Sequence, residues 1–279
     1  MKRISFDDIV NAVGEMCIDA NLHLSQDMEN KIRTAKGTEK CALGSMVLNQ
    51  LVQNLEIAGE DRIPICQDTG MAVFFVEVGQ DVTIDGNLTE AINEGVRKGY
   101  TEGYLRKSVV SDPLIRENTK DNTPAIIHYD IVPGDELKIT IAPKGFGSEN
   151  MSRLVMLKPA DGVEGVKKVV LDTVAAAGPN ACPPFVVGVG IGGDFELVAK
   201  LAKKALTRNT DERSKLPHIK AFEDELLESI NALGIGPAGL GGSNTALAVN
   251  IETYPTHIAG LPVAVNMCCH VNRHKTVVL

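Results

Sequence analysis

Hydrophobic residues recur at helical spacing through the first part of the chain. Ser5 precedes the first of these runs, and Asp8 three residues later completes an acidic form of the capping box. The apolar positions of three successive predicted helices are Ile9, Val10, Val13, Met16, Cys17 and Ala20, then Met28, Ile32 and Ala35, then Leu43, Met46, Val47, Leu51, Val52 and Leu55. The N-terminal part is therefore predicted to be helical.

Continuous or alternating apolar runs predict β-strands in the rest of the chain. Strands are predicted at residues 71–76, 126–131, 137–141, 246–251 and 263–265. Pro133-Gly134-Asp135 stands between two of these runs and indicates a hairpin turn. Further helices are predicted from the apolar positions within residues 88–96, 163–174, 196–206 and 219–233.

The order of these elements predicts a mixed α+β fold. It has an N-terminal helical region and mixed sheets, and glycine-rich loops interrupt it at Pro143–Asn150, Gly188–Gly193 and Gly234–Gly242. No Pro/Ser-rich linker divides the chain, so we predict that residues 1–279 form one domain.

Composition and charge exclude several classes of function. The chain has 279 residues and a formal net charge of −8, which argues against a general nucleic-acid or membrane-surface binder because such proteins need a basic face. It contains no uninterrupted apolar run of membrane-spanning length, and its first residues have no signal-peptide pattern. We therefore expect a cytoplasmic protein whose cysteines remain reduced or bind metal.

Chemically active side chains concentrate at Cys66-Gln67-Asp68-Thr69, just before the strand predicted at residues 71–76. A thiolate is a soft metal ligand, and a carboxylate two residues later can hold or deliver a proton. A small buried cysteine beside an Asp-Thr-Gly turn is the alternative interpretation of this stretch.

The second glycine-rich loop contains Gly188, Gly190 and Gly193, which spell the G-x-G-x-x-G of dinucleotide-binding proteins. That fingerprint requires a strand about 20 residues later that ends in an acidic residue. Residues 207–215 occupy that place and have no strand character. We therefore prefer a close approach of the backbone to some other group.

Cys17 and Cys41 fall within or beside the predicted helices, and the remaining cysteines are Cys182 and the pair Cys268-Cys269. No C-x-x-C occurs, so a sequence-local zinc or ferredoxin-type site is not indicated. A zinc cluster of Cys268, Cys269, His270 and His274 is an alternative, although adjacent cysteines share one tetrahedral ion poorly. Three distant thiolates that converge in the fold can instead hold a 4Fe–4S cluster.

Four long motifs stand out along the chain, at Ile65–Gly70, Gly178–Pro184, Leu233–Gly242 and His257–Asn266. They resemble those of the iron–sulfur hydro-lyases, class I fumarate hydratase and L(+)-tartrate dehydratase. The resemblance covers nearly the whole chain and matches the α subunit of the two-subunit form, or the N-terminal part of the single-chain form. Nothing in the chain resembles the family's C-terminal domain, so the resemblance implies half of an active site.

The resemblance implies three ligands for a 4Fe–4S cluster, which are Cys66, Cys182 and Cys269. The family's third ligand follows an asparagine by three residues and precedes an arginine by four. Asn266 and Arg273 satisfy that spacing for Cys269 rather than for Cys268.

The resemblance also implies roles for five further residues. Gln67 and Asp68 match residues that line the substrate pocket, and Arg106 matches an arginine that binds a substrate carboxylate. Gly147 matches a backbone contact to the substrate, with Gly145 as the alternative match. His257 matches a histidine that pairs with the aspartate in proton transfer.

The implied activity is the reversible dehydration of a 2-hydroxy dicarboxylate, first of all (S)-malate to fumarate, with the open-site iron as Lewis acid. Tartrate or a methylated relative is the alternative substrate, and malate would place the enzyme in the tricarboxylic acid cycle. A β subunit that carries the catalytic base is the implied partner, in an α2β2-type oligomer. Two other classes stay open, namely an NAD-binding oxidoreductase and a non-catalytic iron–sulfur scaffold subunit.

Overall fold

The computed structural model describes residues 2–279. Helices α1 to α8 are Phe6–Leu22, Gln26–Thr38, Ala42–Asp61, Leu88–Glu102, Phe146–Glu149, Gly162–Ala177, Phe195–Ala205 and Pro217–Asn231. Strands β1 to β10 are Lys2–Ile4, Met71–Gly79, Val82–Ile84, Ile126–Val132, Leu137–Lys144, Arg153–Leu157, Phe185–Gly193, Ala246–Thr256, Leu261–Cys268 and Lys275–Val278. Short 3₁₀ turns form at Pro159–Asp161, Gly178–Ala181 and Pro237–Gly239. The mixed α+β fold predicted from the sequence is confirmed.

The chain divides into two compact units that are interleaved along the sequence. The first unit contains residues 1–25, 55–146 and 273–279, and the second contains residues 26–54 and 147–272. No linker composition marks these boundaries, and one of them falls inside helix α3. The assignment of residues 1–279 to a single catalytic domain stays a prediction.

The first unit is built on a four-stranded sheet of order β10-β5-β2-β4. Strand β2 is central, parallel to β4 and antiparallel to β5. Its residues from 72 to 76 are all buried, as expected for a strand that is covered on both faces. Helices α1 and α4 contribute to the apolar core over this sheet. The Ser5 hydroxyl accepts a hydrogen bond of 3.1 Å from the backbone N–H of Asp8, as the capping-box pattern predicts.

The hairpin predicted at Pro133-Gly134-Asp135 is wrong, because the two strands that this turn connects, β4 and β5, do not pair with each other. Strands β4 and β5 follow each other in the chain, but β2 lies between them and forms hydrogen bonds with both. The turn therefore crosses over the end of β2, where the backbone N–H of Asp81 donates to the carbonyl of Gly134 at 2.9 Å. The most apolar strand takes the central place because it needs cover on both faces and both edges.

The second unit contains a four-stranded sheet of order β6-β9-β7-β8. Its central strand β7 is parallel to β8 and antiparallel to β9. Helices α6 and α8 supply apolar side chains to the core of this unit, which include Val170, Val174, Phe222 and Leu226. The predicted strands at residues 246–251 and 263–265 are confirmed as parts of β8 and β9.

The two sheets repeat one topological pattern. In each, a central strand is followed in the chain by a strand that joins it in parallel, and then by one that joins it antiparallel on the other side. In both units, a cysteine of the candidate site precedes the central strand: Cys66 before β2 and Cys182 before β7. Within residues 2–279, no helix is both long enough and apolar enough to span a bilayer.

Candidate functional site

The segment from Cys66 to Gly70 joins helix α3 to strand β2 in the first unit. The backbone N–H of Ile65 donates to the carbonyl of Asn21 at 2.9 Å, and the buried Thr69 hydroxyl donates to the carbonyl of Arg106 at 3.1 Å. Gly70 has φ +78°, and a β-carbon there would lie 2.7 Å from the backbone nitrogen of Lys144. Only glycine fits this turn, which fixes where the segment enters the sheet.

The carboxylate of Asp68 is held by backbone donors on both oxygens. Oδ1 accepts a hydrogen bond of 3.1 Å from the N–H of Gly70, and Oδ2 accepts one of 2.9 Å from the N–H of Phe146. A β-carbon on Gly145 would lie 3.0 Å from Oδ2. Of the two glycines that the sequence offered, Gly145 is therefore the one that lies beside Asp68.

Residues Gln67 and Arg106 are both exposed, and the Thr69–Arg106 hydrogen bond brings their backbone segments together in the first unit. The phenol of the buried Tyr100 donates to the carbonyls of Thr69 at 2.9 Å and Gly70 at 3.1 Å. Burial raises the pKa of the Tyr100 phenol, which therefore stays a hydrogen-bond donor. The Cys66 thiol is half-buried and donates to the amide oxygen of Gln67 at 3.6 Å.

Arg273, which served in the sequence analysis only to locate Cys269 by its spacing, contacts the segment from Cys66 to Gly70. Its side chain is buried, with the residue 4% exposed. Nη2 donates to the carbonyl of Asp68 at 2.5 Å and Nε to the carbonyl of Pro143 at 3.2 Å. Nη1 has no acceptor among the described residues. The sequence shows only a charged arginine among polar loop residues. It does not reveal that this arginine contacts the carbonyls of Asp68 and Pro143.

Cys182 and Cys269 lie at one edge of the sheet in the second unit. Cys182 is exposed, with φ 53°, at the end of the 3₁₀ turn Gly178–Ala181. The backbone N–H of His270 donates to the carbonyl of Cys182 at 3.4 Å, and Nδ1 of the same histidine lies 3.2 Å from that oxygen. This contact places Cys269, the neighbour of His270, next to the Cys182 backbone.

The adjacent cysteines Cys268 and Cys269 have different environments. Cys268 is the last residue of β9, pairs with Val186 across the sheet and is 5% exposed. Cys269 follows the strand and is half-buried. Of the two neighbouring thiols, that of Cys269 is therefore the more accessible to a ligand.

Gly147 lies at the same edge of the second unit as Cys182. A β-carbon there would lie 3.9 Å from the carbonyl oxygen of Asn180, two residues before that cysteine. Gly147 is exposed, so its backbone is open to a ligand.

His257 lies at the opposite edge of the same sheet. It follows Thr256, which pairs with Gly193 at the far end of β7 from Cys182. Strand β7 has nine residues, so its first and last residues are eight steps apart. At about 3.3 Å for each step, the two edges are roughly 26 Å apart. The structure therefore does not bring His257 together with Cys182 or Cys269 of the same unit.

The glycines of the G-x-G-x-x-G pattern serve helix packing. β-carbons on Gly188 and Gly190 would each lie 2.2 Å from a carbonyl oxygen of α7, that of Ala202 and that of Val198 respectively. Both glycines lie inside β7 rather than in a loop. The close backbone approach predicted from the sequence is confirmed, and its partner is the protein's own helix.

The donor chemistry of the three candidate cysteines fits an iron–sulfur cluster. Cys66, Cys182 and Cys269 are half-buried or exposed at strand ends, whereas Cys17 and Cys268 are buried. Burial raises the pKa of the Cys17 thiol strongly, which disfavours the thiolate that binds metal. Across residues 2–279, no three His, Cys, Asp or Glu side chains are grouped closely enough to hold a metal ion.

Comparison with known proteins identifies similar chains. The family model for fumarate hydratase (Fumerase) matches residues 10–278. A protein of Methanocaldococcus jannaschii named "Putative L(+)-tartrate dehydratase subunit alpha" is 44% identical over 272 residues, which cover 95% of each chain. The L(+)-tartrate dehydratase subunit alpha of Escherichia coli K12 is 30% identical over 282 residues, which cover 100% of this chain and 93% of that protein.

Proposed function

Because this chain belongs to the fumarate hydratase (Fumerase) family of hydro-lyases, we propose that it is the α subunit of a two-subunit iron–sulfur enzyme that dehydrates a 2-hydroxy dicarboxylate. The observation that carries the proposal is the family match over residues 10–278. The adjacent placement of Cys182 and Cys269 supports it from the structure. A cytoplasmic location belongs to the same proposal, since reducing conditions keep thiols available for iron.

Two substrates are candidates. We propose (S)-malate, which is converted to fumarate and water, as the first, and this activity would place the enzyme in the tricarboxylic acid cycle. L(+)-tartrate is the second, and the names of the relatives from M. jannaschii and E. coli favour it. Both are 2-hydroxy dicarboxylates and require the same kind of site.

In this proposal, Cys66, Cys182 and Cys269 hold a 4Fe–4S cluster, as the resemblance to the family implies. When bound through three thiolates, such a cluster leaves one iron without a protein ligand, and that iron can act as a Lewis acid on a substrate oxygen. The exposure of Cys182 and the half-buried state of Cys66 and Cys269 support this ligand set.

Substrate recognition is assigned to the polar residues beside these cysteines. The exposed guanidinium of Arg106 can bind a carboxylate through two parallel hydrogen bonds. Gln67 can donate its side-chain amide, and Gly147 its backbone N–H, to the same diacid. The hydrogen bond from Thr69 to the Arg106 carbonyl supports this grouping for Arg106 and Gln67.

Asp68 is proposed to carry the proton that the departing hydroxyl requires. A base removes a proton from C3, the C2–O bond breaks, and the hydroxyl takes a proton from Asp68 and leaves as water. The two backbone N–H donors hold the Asp68 carboxyl in one orientation. His257 is proposed to assist Asp68, although it lies at the other edge of its own sheet.

The catalytic base is assigned to a β subunit in an α2β2-type oligomer. The relatives' names call them alpha subunits, which supports a partner chain for this one as well. If no partner chain confers activity, the chain is instead a non-catalytic iron–sulfur scaffold subunit.

The test combines the chain with its candidate β subunit. Both are produced together, reconstituted anaerobically with iron and sulfide, and assayed with (S)-malate, L(+)-tartrate and a methylated 2-hydroxy diacid. We expect turnover of at least one diacid by the complex and little or none by the chain alone. Full turnover by the chain alone, or NAD-dependent oxidation in place of dehydration, would contradict the proposal.

A further inference from the structure

The glycine-rich loop at Leu233–Gly242 has no role in the proposed reaction, although it is one of the four long motifs of the sequence. It lies in the second unit and folds back on itself. The N–H of Gly241 donates to the carbonyl of Ile235 at 2.9 Å. Gly236 has φ +67°, and a β-carbon there would lie 2.1 Å from the carbonyl carbon of Gly241. Only glycine fits this crossing, which makes the loop compact.

This loop contacts the turn that carries Cys182 on both sides of the cysteine. The N–H of Ala238 donates to the carbonyl of Pro183 at 2.9 Å. A β-carbon on Gly239 would lie 2.5 Å from Cβ of Pro179, so the loop backbone lies directly against that proline. The loop therefore fixes the residue after the cysteine and a residue three positions before it.

The backbone conformation of Cys182 requires support from its surroundings. Its φ of 53° lies in the left-handed region, which is unfavourable for a residue with a β-carbon. Such a conformation persists only where neighbouring structure holds it. The N–H of Cys182 donates to the carbonyl of Pro179 at 3.1 Å, and the residue is exposed, so packing of its side chain contributes little.

Glu39, between α2 and α3, anchors the end of the loop. Its carboxylate accepts hydrogen bonds from the backbone N–H groups of Ser243 at 2.8 Å and Asn244 at 2.9 Å, the two residues that follow the loop. It also accepts from the N–H of Cys41 at 2.9 Å. A β-carbon on Gly242 would lie 2.7 Å from Oε1, so glycine allows the close approach. An ionised carboxylate is among the stronger acceptors for backbone N–H groups.

We infer that the Leu233–Gly242 loop, anchored by Glu39, is a positioning element that holds Cys182 in its left-handed conformation. The inference rests on the proposed function, in which Cys182 is a cluster ligand. A thiolate that is already oriented loses less conformational freedom when it binds iron. Because the Cys182 carbonyl accepts from the N–H of His270, the loop also fixes Cys182 relative to the neighbouring Cys269.

Two glycines of the loop provide a matched pair of variants, Gly239→Ala and Gly241→Ala. Their φ angles are +75° and +86°, so alanine introduces the same kind of backbone strain at both positions. A β-carbon at Gly239 meets Pro179, whereas one at Gly241 meets no atom of residues 2–279 within 4 Å. Only Gly239→Ala therefore pushes on the turn that carries Cys182.

The first measurement is amide hydrogen exchange of the cluster-free chain, followed by mass spectrometry of peptides that contain Cys182. We expect Gly239→Ala to speed exchange in these peptides about tenfold over wild type, because the hydrogen bond from Cys182 to Pro179 opens more often. Gly241→Ala should stay within about twofold of wild type. Peptides of α6 monitor the stability of the unit and should exchange alike in the two variants.

The second measurement is the rate at which a chelator removes iron from the reconstituted chain, compared at equal folded fraction. Gly239→Ala should lose iron about tenfold faster than Gly241→Ala. Glu39→Gln is an independent variant that exchanges the charged acceptor for a carboxamide, and it should speed both exchange and iron loss about three- to tenfold. Its control is Glu196→Gln, since Glu196 is exposed in the first turn of α7, and this variant should match wild type.

Three results would overturn the inference. They are equal exchange around Cys182 in Gly239→Ala and wild type, equally fast exchange in Gly239→Ala and Gly241→Ala, and faster exchange without faster iron loss. The exchange measurement needs no cluster, so its failure is distinct from that of the proposed function. A wild-type chain that takes up no iron would instead overturn the proposed function.

Discussion

Nη2 of Arg273 donates a 2.5 Å hydrogen bond to the backbone carbonyl of Asp68, and no carboxylate forms an ion pair with this buried guanidinium in the described residues. The guanidinium instead donates hydrogen bonds to two backbone carbonyls, those of Asp68 and Pro143. Arg273 acts as a positioning residue for the backbone two residues after Cys66.

Replacing this anchor should loosen the Cys66 loop. Arg273→Met keeps the apolar stem but leaves two carbonyls without donors, which should cost about 1 to 3 kcal/mol of unfolding free energy. We also expect the Cys66 thiol of the cluster-free chain to alkylate about ten times faster, since local opening exposes it. Peptide-level mass spectrometry measures that rate.

The control for this prediction is Arg153→Met, because Arg153 is exposed on β6. It should change neither stability nor Cys66 alkylation. Arg273→Lys keeps the charge but loses the planar fork, and we expect an intermediate rate. If Cys66 alkylates at the same rate in wild type and in Arg273→Met, at equal folded fraction, Arg273 does not position the Cys66 loop.

Asp68→Asn should separate proton delivery from cluster binding. A carboxamide has one acceptor oxygen, so it can accept from Gly70 or from Phe146 but not from both, and stability should fall by about 1 kcal/mol. Turnover of the complex with the β subunit should fall about 10² to 10⁴-fold, while iron and sulfide content stay unchanged. A loss of iron in this variant would instead assign Asp68 a structural or ligating role.

Glu39 should make stability depend on pH in the acidic range. Burial opposes its ionisation, but hydrogen bonds from Cys41, Ser243 and Asn244 outweigh this and lower the pKa of Glu39 to about 2 from its usual 4.5. Because the folded-state pKa is depressed, the stabilisation is complete above about pH 4.5 and is lost as pH falls toward 2.

Glu39→Gln should therefore lower the unfolding free energy by about 1 to 2 kcal/mol at pH 7, after allowance for solvent exposure. The difference from wild type should shrink as urea titrations move from pH 5 toward pH 2. Glu15→Gln is the control, since Glu15 is exposed on α1. A difference that is constant with pH would show that the charge of Glu39 is not the cause.

Local patterns predicted the elements better than their pairing. Ser5 and Asp8 predicted the start of α1, because capping is decided within a few residues. The central places of β2 and β7 could not be predicted, since strand order depends on contacts between distant segments. The hairpin prediction at Pro133-Gly134-Asp135 failed for that reason.

In the candidate site, too, local motifs could be predicted from the sequence but contacts between distant segments could not. Long motifs marked Cys66, Cys182 and Cys269, and the burial of Cys268 supports the choice within the pair. The position of His257 at the far edge of the sheet could not be predicted, because it depends on the register of β8 against β7. The contact of Arg273 with Asp68 joins residues 205 positions apart, which no local pattern reveals.

Iron and sulfide per chain, measured after anaerobic reconstitution of single cysteine variants, test the central claim most directly. We predict about four irons and four sulfides for wild type and for Cys17→Ala and Cys268→Ala, whose thiols are buried, and a labile or missing cluster for Cys66→Ala, Cys182→Ala and Cys269→Ala. Wild type that binds no iron, or a cluster that survives Cys269→Ala but not Cys268→Ala, would contradict the account.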